Sequence, residues 1–117
     1  MTDEQFKKLI ERFNEAEMEL QGTKGAEYRN SDDVLANFKR LGVALKIHPA
    51  VVCMIYLQKH MDSIITFTAN GMDESKLAEP IDGRIQDARN YLMLLAGIFE
   101  EARNRFALDQ ASIRGKG

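Results

Sequence analysis

Tryptophan is absent from this 117-residue chain, cysteine occurs once, proline twice, and neither sign of charge has a real surplus. Each shortage excludes something. A single cysteine, Cys53, rules out an intrachain disulfide and a cysteine-based zinc site. Its setting, Val51-Val52-Cys53-Met54-Ile55, marks it as a buried, inert thiol. Sixteen basic against eighteen acidic residues give a net charge of -2 without any basic block. Binding to a nucleic acid through phosphate neutralisation is therefore disfavoured. No apolar run is long enough to span a bilayer, and Met1 to Lys8 lacks an apolar secretion segment, so no membrane association and a cytoplasmic location are expected. A glycine-rich phosphate loop, a dinucleotide fingerprint and a serine or cysteine nucleophile arrangement are missing as well.

What is present is an ordinary soluble composition, 44% hydrophobic and 29% charged. The chain is long enough to bury a core without staples, and with no composition break it reads as one helical domain over 1–117. Helical spacing divides it into an N-terminal helix over 1–23, a core over 24–108 and a flexible tail over 109–117. Phe6, Ile10, Phe13 and Leu20 carry the first helix, with Thr2 and Gln5 as a capping box and Gly22 as its stop. Ser31, followed by Asp32 and Asp33, starts the second, whose stripe is Leu35, Phe38, Leu41 and Leu45. Pro49 opens the third, which ends near Asn70-Gly71. The fourth starts between Pro80 and Asp82 and runs to Ala107 or beyond. The fold class is all-α, a four-helix bundle-like arrangement, up-down with short connections. From Val51 to Leu57 the third helix is apolar all round, so it is either the central helix or covered by another subunit. A homodimer or higher homo-oligomer formed through this helix is expected.

The chemistry concentrates on two helical faces. On the fourth helix Ile85, Ala88, Tyr91, Leu92, Leu94, Leu95, Ile98 and Phe99 form an apolar arc. Arg84 and Asp87 point into that arc, and Gly83 and Asn90 sit on its border. A carboxylate taken from water without a partner costs several kcal/mol, so Asp87 should be paired, metal-bound or at a wet cleft. On the third helix Lys59, Asp62 and Ser63 lie within touching distance along one side. Two readings compete. In one, these are solvated ion pairs that set helix register. In the other, Lys59, Asp62, Arg84, Asp87 and Asn90 converge on one cavity, with carboxylates for a hard cation such as Mg²⁺ and Lys59 and Arg84 for phosphate oxygens. Glu27 and Tyr28 follow an open connection made by Gly22 and Gly25; they face the same cavity, or Tyr28 packs as a lid. His48 reads as a cap and His60 falls between the polar and apolar faces of the third helix.

The string Lys24, Glu27-Tyr28, Asn37-Phe38, Lys59-His60, Asp62-Ser63 and Gly83-Arg84-Ile85-Gln86-Asp87-Ala88-Arg89-Asn90-Tyr91 resembles small phage and prophage proteins. They are related to the all-α, MazG-like nucleotide pyrophosphohydrolases and to the nucleotide-modification-associated domains of phages. The resemblance spans about residues 24 to 100. It implies a helical oligomer in the host cytoplasm that binds an NTP or dNTP through Mg²⁺ and releases pyrophosphate by attack of water. It implies catalytic roles for Asp87, Lys59 and Arg84 and nucleotide contacts from Asn90, Tyr91 and Tyr28. Metal ligation would fall to Asp87, Asp62, Glu79 and Glu27. The pyrophosphohydrolases carry a Glu-x-x-Glu pair ahead of a Glu-x-x-Asp pair. Here the first pair is missing at a suitable distance, and Arg84 stands three before Asp87. A non-enzymatic, dimeric helical accessory module of a phage is the alternative.

Overall fold

Four α-helices make up most of the computed structural model, which describes residues 1–24 and 33–115. α1 spans Asp3–Glu19 and passes into a π-turn over Leu20–Lys24. α2 spans Ala36–Leu45, α3 Pro49–Ala69 and α4 Ile81–Gly115, with a 3₁₀ turn at Glu74–Lys76. No strand occurs among the described residues, so the all-α expectation holds.

Local chemistry explains the boundaries. Thr2 accepts from the Gln5 N–H while the Gln5 side chain accepts from the Thr2 N–H, the expected capping box. Ser31, expected to cap α2, lies outside the described residues; within them the Asp33 carboxylate accepts from the Leu35 N–H at 2.9 Å just ahead of the helix. α2 ends at Lys46, whose φ of 58° is left-handed. His48 caps α3 by accepting the Ala50 N–H on Nδ1 at 3.0 Å, and Pro49 occupies the first helical turn. Between α2 and α3 the chain bends by 106°. One boundary differs from expectation. The segment from Asp109 onward, expected to fray, continues as helix to Gly115 with every residue exposed.

α3 and α4 pack antiparallel and form the central pair. Leu35, Phe38, Ala50, Val52, Cys53 and Ile98 make the buried core, with Leu41, Tyr56, Tyr91, Leu94 and Leu95 packed around it. Fully burying side chains of this size stabilises by about 1.5–3 kcal/mol each. α1 lies along α4 in the same direction: Arg12 meets Asp82, Glu17 meets Gln86, and Gln21 meets Asn90. None of its residues is fully buried. Polar contacts of this exposed kind are worth about 0.2–1 kcal/mol each, so α1 is the most weakly held of the helices. The apolar run in α3 is divided: Val52 and Cys53 are buried, whereas Val51, Met54 and Ile55 face outward. The molecule is elongated, 63 × 36 × 29 Å with a radius of gyration of 18.2 Å. A compact domain of similar length has about 13 Å. No single helix among the described residues is long and apolar enough to cross a membrane.

Candidate functional site

The second half of α3 and the first turns of α4 part where the connecting loop crosses between them. The loop leaves α3 through Gly71 and Met72, both with positive φ (81° and 61°). Asp73 then fixes the 3₁₀ turn by accepting from the Ser75 N–H at 3.0 Å and from its hydroxyl at 2.6 Å. The loop thereby hangs over a cavity of about 330 Å³. Asp62, Ser63 and Thr66 contribute from α3, Asp73 and Lys76 from the loop, and Arg84 from α4. Phe67 and Leu77 supply apolar wall. The volume and the mixture of apolar wall with a few polar groups suit a small-molecule pocket.

The electrostatics of this cavity are uneven. Asp62 already accepts a hydrogen bond from Gln58 at 2.7 Å, and Asp73 is engaged by Ser75, which holds its carboxyl below the usual range. Each carboxylate keeps its second oxygen without a hydrogen bond among the described residues. Lys76 and Arg84 have no carboxylate partner among the described residues. Two cations with no carboxylate partner among the described residues therefore face the same space as two partly satisfied acids.

One helical turn away, toward the core, lies a second polar cluster. The His60 ring stacks on Tyr91 with centroids 5.2 Å apart, and Tyr91 stacks on Tyr56 at 5.9 Å. Phe38 meets both tyrosines edge-on. Nδ1 of His60 is buried with no hydrogen-bond partner among the described residues, and the Asp87 carboxylate stands 3.8 Å from it, beyond hydrogen-bonding distance. Burial pushes the Tyr91 phenol up, and the Asp87 charge adds to the effect. Burial also raises the Cys53 thiol, which is 1% exposed and donates to the Tyr91 carbonyl at 3.3 Å.

The residues singled out from sequence are thus only partly brought together. Asp62 and Arg84 share the cavity. Asp87 and Tyr91 face α3 beside it, in the His60 cluster. Asn90 turns to the other flank and accepts from Gln21, in the π-turn that follows α1, at 2.8 Å, so it does not join Asp87 in one hollow. Gln86, on the same flank, donates to Glu17, and its buried carbonyl oxygen has no partner among the described residues. Lys59 is exposed on α3, and Glu79 is exposed before the start of α4; neither lines the cavity. Glu27 and Tyr28 lie outside the described residues. The single five-residue convergence expected from the helical wheels is therefore corrected to two adjoining clusters. The wheel assigns directions around one axis, but α4 has neighbours on two flanks, and positions three apart can address different helices.

Sequence reasoning missed three contributors. His60 was assigned to neither face; its spacing of four from Tyr56 was the available signal. Asp73 and Lys76 come from a loop with no periodicity to betray them. Among the described residues no three carboxylate, imidazole or thiol groups form a metal cage. No known family model, curated protein or solved structure matches the chain.

Proposed function

We propose that the cavity between α3, α4 and their loop binds the phosphate groups of a nucleotide, an NTP or dNTP. The observation that carries this reading is the pair of cations, Lys76 and Arg84, facing one hollow without carboxylate partners among the described residues. Arginine presents a planar fork suited to phosphate oxygens, and lysine a point charge. Mg²⁺ fits the donor set in the way it accompanies nucleotides, bound by one or two carboxylates plus substrate phosphates. Asp62 and Asp73 would supply those carboxylates, with Asp87 as the nearest reserve. Such an ion neutralises phosphate charge and polarises the bond to be broken. The Tyr56–Tyr91–His60 stack beside the cavity offers flat surfaces of the kind a base packs against.

Hydrolysis to pyrophosphate and a monophosphate, by a MazG-like phage protein working in the host cytoplasm, is the enzymatic form of this proposal. The resemblance described above supports it, with Asp87, Lys59 and Arg84 as the residues to test. Incubating the protein with NTPs and dNTPs plus Mg²⁺ should release pyrophosphate from at least one of them. Absence of both product and thermal stabilisation across the panel would reject the proposal. Asp87→Asn separates the readings further. Loss of nucleotide effects in a folded variant supports a site role, whereas loss of stability alone supports a register-setting contact with His60.

The non-enzymatic alternative, a helical accessory module, is favoured by one observation: a broad apolar flank of α3 and α4 is exposed. A chain of this kind that neither binds nor cleaves nucleotides but associates tightly would fit it.

A further inference from the structure

Eight of the exposed large apolar residues recur at regular spacing. On α4, Ile85, Leu92, Phe99, Phe106 and Ile113 recur at every seventh position, and all are exposed. On α3, Met54 and Met61 are also seven apart, with Ile65 one turn further on, and all three are exposed. At about 100° per residue, these positions lie on one flank of the antiparallel α3–α4 pair. The opposite flank is occupied. α1 reaches α4 there through Asp82, Gln86 and Asn90, and α2 reaches it through Leu35, which sits 3.9 Å from where a side chain at Gly97 would begin. Among the described residues nothing covers the outer side of the α3–α4 pair.

We propose that this flank is the seat of a second copy of the chain, the two α3–α4 pairs closing into a four-helix bundle. Three observations select this occupant. A seven-residue apolar period is the seam of helices packing at a shallow angle, and an antiparallel pair is half of such a bundle. A two-fold axis supplies the other half from the same sequence. Secondly, the area matches. Eight large side chains about half exposed, at roughly 150–200 Å² each when free, offer on the order of 700 Å² before Gln58, Thr68 and Ala96 are added, against about 800 Å² per partner in a stable interface. Thirdly, charge is sparse on this flank: none falls in register between Val51 and Thr68, and between Ile81 and Ala102 only Arg89 does, its guanidinium donating to Asn14 of α1, in a chain that is 29% charged. Depletion of charge is the mark of an interface core.

The end of α4 points the same way. His48 and Pro49, at the start of α3, stand level with Ile98 to Arg105. Residues 106–115 run past that level, roughly 15 Å of helix at 1.5 Å per residue. Phe106 and Ile113 on this extension are exposed and outside the core formed by the described residues. An isolated stretch of this length is marginal as helix in water without packing on an apolar face. A second copy supplies that packing, so the seam extends beyond the third-helix contact expected from sequence.

Sedimentation velocity on the full chain across the micromolar range tests the proposal. Twice the chain mass is expected, together with an unfolding midpoint that rises with protein concentration. Leu92→Glu and Met61→Lys, each at a half-exposed position that a monomer tolerates, should weaken association by about 100-fold or more. Met18→Glu, at a more exposed residue on α1, should leave it unchanged. Circular dichroism shows whether each variant keeps its helices. A wild-type chain that stays monomeric with a concentration-independent midpoint overturns the proposal. So does an oligomer that survives both flank substitutions, which would place its interface elsewhere.

Discussion

Two glycines inside helices should respond to the same substitution with opposite signs. Gly97 lies in the interior of α4, and a Cβ built there would meet only the Leu35 methyl groups at 3.9 Å, ordinary contact distance. Replacing a helical glycine by alanine gains about 1 kcal/mol in propensity. The new methyl also covers the edge of Leu35, which is already buried, so Gly97→Ala should stabilise by about 1 kcal/mol. Gly42 lies in α2 and would gain the same propensity. Its Cβ, however, would stand 2.8 Å from the Ile47 carbonyl oxygen, 3.3 Å from the Pro49 nitrogen and 3.4 Å from the proline ring. These are backbone and ring atoms at the elbow between α2 and α3, already fixed by the Ile47 N–H to Gly42 carbonyl bond at 3.0 Å. Overpacking of this kind costs about 1–3 kcal/mol. Net of propensity, Gly42→Ala should destabilise by about 1 kcal/mol, less than the shift expected if the elbow has to open. Thermal unfolding at one fixed protein concentration reads both, with roughly 4 °C per kcal/mol in a chain of this size. A Gly42→Ala variant as stable as Gly97→Ala would refute the close approach of α2 to the start of α3.

Acid should loosen the start of α2. Lys39 bridges Asp33 at 2.6 Å and Glu101 at 2.9 Å, and its ammonium, with help from the Leu35 N–H, holds the Asp33 carboxyl below its ordinary range. A lowered carboxylate stabilises above its unfolded value and ceases to do so as pH falls through the folded one, so the midpoint should drop below about pH 4. Lys39→Met should flatten that part of the pH profile, by a small amount because the pair is partly exposed. Lys39 itself is held above its ordinary range, so its contribution is full at neutral pH and fades only in strong base. Cys53 should react with a thiol reagent in the native protein orders of magnitude more slowly than in denaturant, since it is 1% exposed and burial disfavours its thiolate. Rapid native modification would contradict the packing of α3 on α4. Phe38→Ala, which removes the edge-on contacts to Tyr56 and Tyr91, should cost about 3–5 kcal/mol by denaturant titration.

The fold was legible because it rests on local signals. Thr2 with Gln5, His48 ahead of Pro49, and the stripe of Leu35 and Phe38 each act within a few residues, and each occurs where the pattern put it. The course of α4 past Asp109 was not legible: Gly115 and the loss of apolar period suggested an end, while the period that continues is the seven-residue one through Phe106 and Ile113. The site was legible in part. Asp62 and Arg84 meet because both face the gap between α3 and α4. Asn90 departs because α1 lies on the far flank of α4, a placement decided by tertiary packing that no single-helix wheel contains. Lys76 and Asp73 join through a loop whose path depends on Gly71 and Met72, where the backbone turns left-handed.

Calorimetric titration of NTPs and dNTPs with Mg²⁺ tests most directly whether Lys76 and Arg84, without carboxylate partners among the described residues, hold phosphate in the α3–α4 cavity. Wild type should bind at least one nucleotide, and Arg84→Met should weaken that binding by about tenfold or more, the loss of one charge-assisted hydrogen bond. Lys59→Met, outside the cavity lining, should weaken it less. Equal affinity in wild type and Arg84→Met, or no heat with any nucleotide, would contradict the account.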